Sequence, residues 1–243
     1  MHINDNFDGG NIDVQSAYSP KDIRLKIKMD KGERHGQWFF FQLCDASGDS
    51  CNVFIENAGD MSYPKGFEGY GVAASTDLEH WFRIDTVFDG KTLAWRCTPK
   101  SDVIYFAYFA PYSFERHQKL IARTLAAPGV SAEVLCATPD GHPLTQLVLG
   151  EPGPNKRSCW IIARQHPGET MAEWWVEGFL ERMTDPEDAV ARSLLEHAVF
   201  YVVPNMNPDG GVRGHLRVNA KGVNLNRAWE DPDEAESPEV YFT

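Results

Sequence analysis

Cys159-Trp160-Ile161-Ile162-Ala163, then His166-Pro167-Gly168-Glu169, then Val199-Phe200-Tyr201-Val202-Val203: this stretch decides the fold. The first run is an apolar strand closed by a Pro-Gly loop. A helix is expected from about Glu169 to Met183, and a second from about Glu187 to Ala198. The chain then enters the strand Val199 to Val203. Strand–helix–helix–strand is α/β grammar, and a crossover of that length predicts parallel pairing of the two strands.

Just upstream, Phe114 to Leu125 has helical spacing, with Phe114, Leu120, Ile121 and Leu125 available for one face; Pro128-Gly129 ends it. Val130 to Ala137 and Leu144 to Leu149 flank Asp140-Gly141-His142, a hairpin. Before Pro111 the grammar is all-β. Asp22 to Asp30 alternates, with Ile23, Leu25, Ile27 and Met29 on one face and Arg24, Lys26 and Lys28 on the other. Trp38 to Leu43 and Val103 to Ala110 are aromatic runs of strand length. Turns at Gly48-Asp49, Pro64-Lys65-Gly66 and Asp89-Gly90 separate such segments. The expected architecture is an N-terminal antiparallel β-sandwich over residues 1–111, followed over 112–243 by an α/β domain with a mixed sheet.

Composition narrows the function classes. The 243 residues carry a net charge of -12, and residues 228–243 supply six acids without a Lys or Arg. That tail is expected to be a solvated loop. No basic stripe or Lys/Arg-rich tract occurs, which points away from nucleic acid. The longest apolar runs are too short to span a bilayer. Met1-His2-Ile3-Asn4-Asp5 lacks the start of a signal peptide, and five cysteines without a Cys-x-x-Cys pair suit a reducing cytoplasm. Oligomeric state is not encoded in any visible pattern.

His166-x-x-Glu169 is the first chemical signal. With 8 His and 35 acids in 243 positions, chance gives roughly one His-x-x-acid match; His2-Ile3-Asn4-Asp5 is such a match, in a terminus. Context distinguishes His166. It follows an apolar strand, where open α/β sheets bind ligands, and Pro167-Gly168 bends the chain so that the two side chains can converge. A loop histidine and a first-turn acid favoured by the helix dipole would read the same way. Imidazole and carboxylate suit zinc, but a catalytic site takes three protein ligands. His197 and His215 have no pattern marking either as the third, and both read as surface or packing residues.

Asn205-Met206-Asn207-Pro208-Asp209-Gly210 follows the second strand and is strong turn chemistry, either a site wall or a plain connection. Arg213, Arg217, Lys221 and Arg227 then cluster. A guanidinium is the natural fork for a substrate carboxylate, and Arg217 could polarise a carbonyl; surface ion pairs are the alternative.

His-Pro-Gly-Glu, Asn-Pro-Asp-Gly, Gly214-x-x-Arg217 and Asn224-Leu225-Asn226-Arg227-Ala228-Trp229, in that order, resemble the zinc carboxypeptidases related to carboxypeptidase A, and within them the cytosolic, deglutamylase-like subfamily. Tyr63 to Tyr70 and Tyr105 to Tyr112 resemble that subfamily's N-terminal β domain. The resemblance implies one Zn2+ held by His166 and Glu169. It implies that Arg217 assists the scissile carbonyl and that Asn226 and Arg227 hold the terminal carboxylate of a peptide or protein substrate. It also implies release of C-terminal glutamate. A third zinc histidine, a general-base glutamate and a capping tyrosine lie downstream in the family, whereas sixteen residues follow Arg227 here. The chain is therefore expected to be the N-terminal portion of a longer enzyme and inactive alone. Two rivals stand beside this reading: a zinc amidohydrolase of the succinylglutamate desuccinylase or aspartoacylase type, and a non-catalytic binding module.

Overall fold

The computed structural model describes Met1–Thr243 in two compact units, each with its own core: Met1–Pro111 with Val212–Arg217, and Tyr112–Gly211 with Val218–Thr243. No helix is long and apolar enough to cross a membrane.

The first unit contains β1 (His2–Asn4), β2 (Asp13–Ser19), β3 (Asp22–Lys26), β4 (Phe40–Cys44), β5 (Cys51–Ile55), β6 (Gly71–Ser75), β7 (Phe82–Phe88), β8 (Leu93–Cys97) and β9 (Val103–Ala107). They run in the order β1-β4-β9-β6-β7-β8-β5-β3-β2. The early part of β7 pairs with β6 and its late part with β8, so one strand serves both layers of a sandwich. All pairings are antiparallel except β3 with β5, which is parallel. Between the layers lie Phe39, Phe41, Trp95 and Phe106, with Ile23, Leu25 and Ile55 among the aliphatic contacts. The alternation read over Asp22 to Asp30 holds only in part: β3 stops at Lys26, and Met29 is exposed. Beyond Lys26 the chain is tied by Asn57, whose Oδ1 accepts Ile27 N and whose Nδ2 donates to Ile27 O, ending the ladder.

The second unit contains α1 (Phe114–Leu125), β10 (Val130–Ala137), β11 (Pro143–Leu149), β12 (Arg157–Ile162), α2 (Met171–Met183), α3 (Ala189–His197) and β13 (Ala198–Val203). Its sheet order is β10-β11-β13-β12, with β12 and β13 parallel and Cys159 opposite Phe200. Local chemistry sets the helix starts: Ser113 Oγ accepts Arg116 N, and Asp188 Oδ1 accepts Val190 N and Ala191 N. On α1 the buried residues are His117, Leu120 and Thr124, while Leu125 is exposed. Helix α2 begins at Met171 rather than Glu169, leaving the carboxylate of Glu169 outside the helix. A short α4 (Pro208–Val212) and α5 (Pro238–Tyr241) follow. The acidic tail is only partly the solvated loop expected of it. Five of its six acids are exposed, but Glu239, on α5, is wholly buried.

Candidate metal and carboxylate site

Strand β12 continues its ladder through Ala163, whose N donates to Val203 O and whose O accepts Met206 N. The chain then turns sharply. Arg164 sits at φ +48°, a left-handed conformation that costs a side-chain-bearing residue roughly 1–2 kcal/mol. Its guanidinium offsets that strain by filling a buried niche. Nε donates to Pro167 O at 3.0 Å, and NH1 donates to Tyr112 O and to Glu173 Oε2, both at 2.7 Å. Glu173, on α2 and fully buried, also accepts from Asn205 Nδ2 at 3.1 Å and lies 2.7 Å from His117 Nδ1. Both carboxylate oxygens are therefore partnered, which a buried ion requires.

This network carries the His166-Pro167-Gly168-Glu169 loop. His166 is buried, with Nδ1 3.2 Å from Glu169 Oε1 and Nε2 3.3 Å from Asn224 Oδ1. Glu169 is half exposed. Two ligands each about 2.1 Å from zinc at a tetrahedral angle stand about 3.4 Å apart, close to the separation of the imidazole and carboxylate here. No group of three His, Cys, Asp or Glu side chains converges anywhere in the chain. The residues present fit two of the three protein donors of a catalytic zinc. His197 is exposed, with Nδ1 2.8 Å from Ser193 O, and His215 is buried; neither joins the pair.

Asn224 links this loop to the carboxylate-binding candidates. Its Oδ1, besides facing His166, accepts Asn226 N and caps the 3-10 turn Leu225–Arg227. Arg227 NH1 donates to Asn226 O at 2.9 Å. Both side chains are exposed, while Leu225 is buried beneath them. Trp229 Nε1 donates to Gln165 Oε1 at 2.6 Å, a second tie between the two segments.

The Asn205–Gly210 turn is a brace. Asn205 reaches Glu173, and Asn207 Oδ1 accepts Gly210 N. Asp209 is fully buried; it accepts from Thr138 Oγ1 at 2.5 Å and Asp140 N at 2.8 Å, and lies 2.8 Å from His142 Nδ1. A Cβ on Gly210 would stand 2.4 Å from Pro167 Cγ and 2.5 Å from Val218 O, so only glycine lets this turn pass the His166–Glu169 loop. Downstream, Asn219 fixes the next bend: Oδ1 accepts Lys221 N and Val223 N, and Nδ2 donates to the Glu239 carboxylate. Burial, aided by the charge of Asp209, pushes the Glu239 carboxyl up to about 7.

Arg217 belongs to the segment Val212–Arg217 of the first unit, so it is grouped with Asp30 and Tyr63 rather than with His166 and Arg227. Gly214, at φ +69°, makes that grouping possible: a Cβ there would meet Gly10 O at 2.7 Å. The sequence does not single out Arg164, Glu173, His117 or Asn219, and Asn224 is visible in it only as the first residue of its motif. One signal was available: Glu173 stands on the same helical face as Val176 and Leu180, where a charge has to be paired.

Residues 3–109 match the family pattern of the cytosolic carboxypeptidase N-terminal domain, and residues 123–240 match that of the zinc carboxypeptidases. The chain belongs to the zinc carboxypeptidase family, and its front unit places it with the cytosolic carboxypeptidases. It is 48% identical to an uncharacterized protein of Zymomonas mobilis over 240 residues, 99% of this chain and 62% of that one. It is 26% identical to mouse cytosolic carboxypeptidase 1 over 287 residues, 99% of this chain and 23% of that one. Among solved structures, a metallo-carboxypeptidase from Burkholderia cenocepacia superimposes with a TM-score of 0.97 at 47% identity, covering 99% of this chain and 65% of its own. A metallo-carboxypeptidase from Pseudomonas aeruginosa, in complex with (2-guanidinoethylmercapto)succinic acid, gives 0.94 at 42% identity, covering 100% and 65%. The chain thus spans less than two thirds of the length of each of these proteins.

Proposed function

We propose that this chain contributes the metal-binding and carboxylate-binding half of a zinc carboxypeptidase that removes the last residue of a peptide or protein. The observation that carries the reading is the pairing of His166 Nδ1 with Glu169 Oε1 at 3.2 Å, tied through Asn224 to the Asn226-Arg227 turn. Bound zinc would supply an activated water and a Lewis acid for the scissile carbonyl. His166 and Glu169 would hold the ion. Asn226 and Arg227 bind the substrate's free carboxylate, Arg227 as the charged fork and Asn226 as a neutral donor. Arg217 stabilises the negative charge that develops on the carbonyl oxygen. With two metal donors converging, the chain by itself does not turn over.

The front unit's match to cytosolic carboxypeptidases supports peptides over small acylated amino acids as substrates. Glutamate as the residue released is the reading that the subfamily resemblance implies, and the relatives' name, cytosolic carboxypeptidase, supports a cytoplasmic location. The succinic acid derivative held by the Pseudomonas relative carries carboxylates, the group Arg227 is assigned to bind.

The test uses the protein expressed from its complete reading frame. Arg227→Ala is expected to raise KM and weaken transition-state binding by about 2–5 kcal/mol, the usual loss for one member of a charge-paired hydrogen bond. Peptides ending in glutamate should be cut faster than those ending in lysine or leucine. An unchanged kcat/KM for Arg227→Ala would remove that residue from the site.

A further inference from the structure

We propose that Tyr63 is a positioning residue for Arg217, holding the direction of its guanidinium. The inference rests on the carbonyl-polarising role proposed for Arg217 and names the group that holds it in direction. Asp30, 1% exposed, accepts Leu216 N with Oδ1 and Arg217 N with Oδ2, both at 2.7 Å, and so fixes the backbone beneath the side chain. At the other end, Arg217 NH1 donates to the Tyr63 hydroxyl at 2.9 Å. Tyr63 is in turn held by Gln37, which is wholly buried. Gln37 Oε1 accepts Tyr63 N and Gln37 Nε2 donates to Tyr63 O, each at 3.0 Å. A long arginine side chain is thereby restrained at both its root and its tip, by residues of the β-sandwich.

The chemistry of the restraint matters. Free arginine carries about 2 kcal/mol of rotamer entropy, which a preorganised site spends before substrate arrives. A phenol oxygen fixes direction without adding a negative charge. Tyr63 as a whole is half exposed, and its hydroxyl accepts from Arg217 NH1.

The experiment is a double-mutant cycle on the protein expressed from its complete reading frame, with Tyr63→Phe and Arg217→Ala assayed singly and together on a peptide substrate. Tyr63→Phe should lower kcat about tenfold with KM within about twofold, and its melting temperature should stay that of the wild type. In the Arg217→Ala background the same change should cost nothing further, because there is no guanidinium left to aim. An unchanged kcat for Tyr63→Phe, or an equal loss in both backgrounds, would overturn the inference while leaving the carboxypeptidase reading intact. Absence of any turnover by the wild type would overturn that reading and this inference with it.

Discussion

Glu173 and Glu239 show how differently two fully buried carboxyls can be used. Glu173 is paired on both oxygens with Arg164, His117 and Asn205, and the paired guanidinium also grips the carbonyl of Pro167. Removing the carboxylate in Glu173→Ala strands a buried cation, and the expected cost is about 3–5 kcal/mol. Urea denaturation should show the midpoint falling accordingly; an unmoved midpoint would mean the network contributes nothing to stability. Glu239 instead has Asn219 as its side-chain donor, and burial raises it from 4.5 to about 7. Its folded form binds the proton more tightly than its unfolded form. The folded state is thus favoured below about pH 4.5, and the advantage is lost as pH rises toward 7. Glu239→Gln should be more stable than wild type at pH 8, and its stability should change less between pH 5 and 7. Parallel pH–stability curves for the two proteins would contradict the burial argument. The His166-x-x-Glu169 spacing after an apolar strand is a local pattern and could be read from the sequence. The sequence did not show Arg164, His117 or Asn219, because each acts through a partner distant in the chain.

At the scale of elements, glycine decides where two turns can pass. Gly210 lies against Pro167, and Gly214 lies against the backbone of Gly9 and Gly10 at positive φ. Gly214→Ala pushes a methyl into carbonyl oxygens and demands a disfavoured backbone, so a loss of about 1–3 kcal/mol is expected. A melting temperature equal to that of the wild type would show that the Val212–Arg217 segment can shift without cost. Periodicity made most elements legible. Helix α1 spans the Phe114 to Leu125 stretch read from sequence, and β12 and β13 pair in parallel as the crossover implied. Ends were less legible. The strand expected to reach Asp30 stops at Lys26 because Asn57 captures Ile27, a contact thirty residues away in the chain. The tail looked solvated because charge dominates its composition, yet Asn219 and the apolar neighbours Leu225, Ala228 and Val240 draw Glu239 inside.

For the whole molecule, the sandwich and the mixed α/β sheet were both readable in the change of grammar after Pro111. The return of Val212–Arg217 to the first unit was not readable, since nothing in Gly-x-x-Arg announces which core its neighbours join. That return is what ties the front unit to Arg217 through Asp30 and Tyr63. The proposed function requires a metal held by His166 and Glu169 and a substrate held by its free carboxylate. The direct measurement is release of the last residue from a peptide with a free C-terminus and from its amidated twin, by the protein expressed from its complete reading frame, with and without zinc. Hydrolysis of the free peptide alone is expected, lost on chelation, restored by zinc and absent in His166→Ala. Equal cleavage of both peptides, or turnover that survives chelation and His166→Ala, would contradict it.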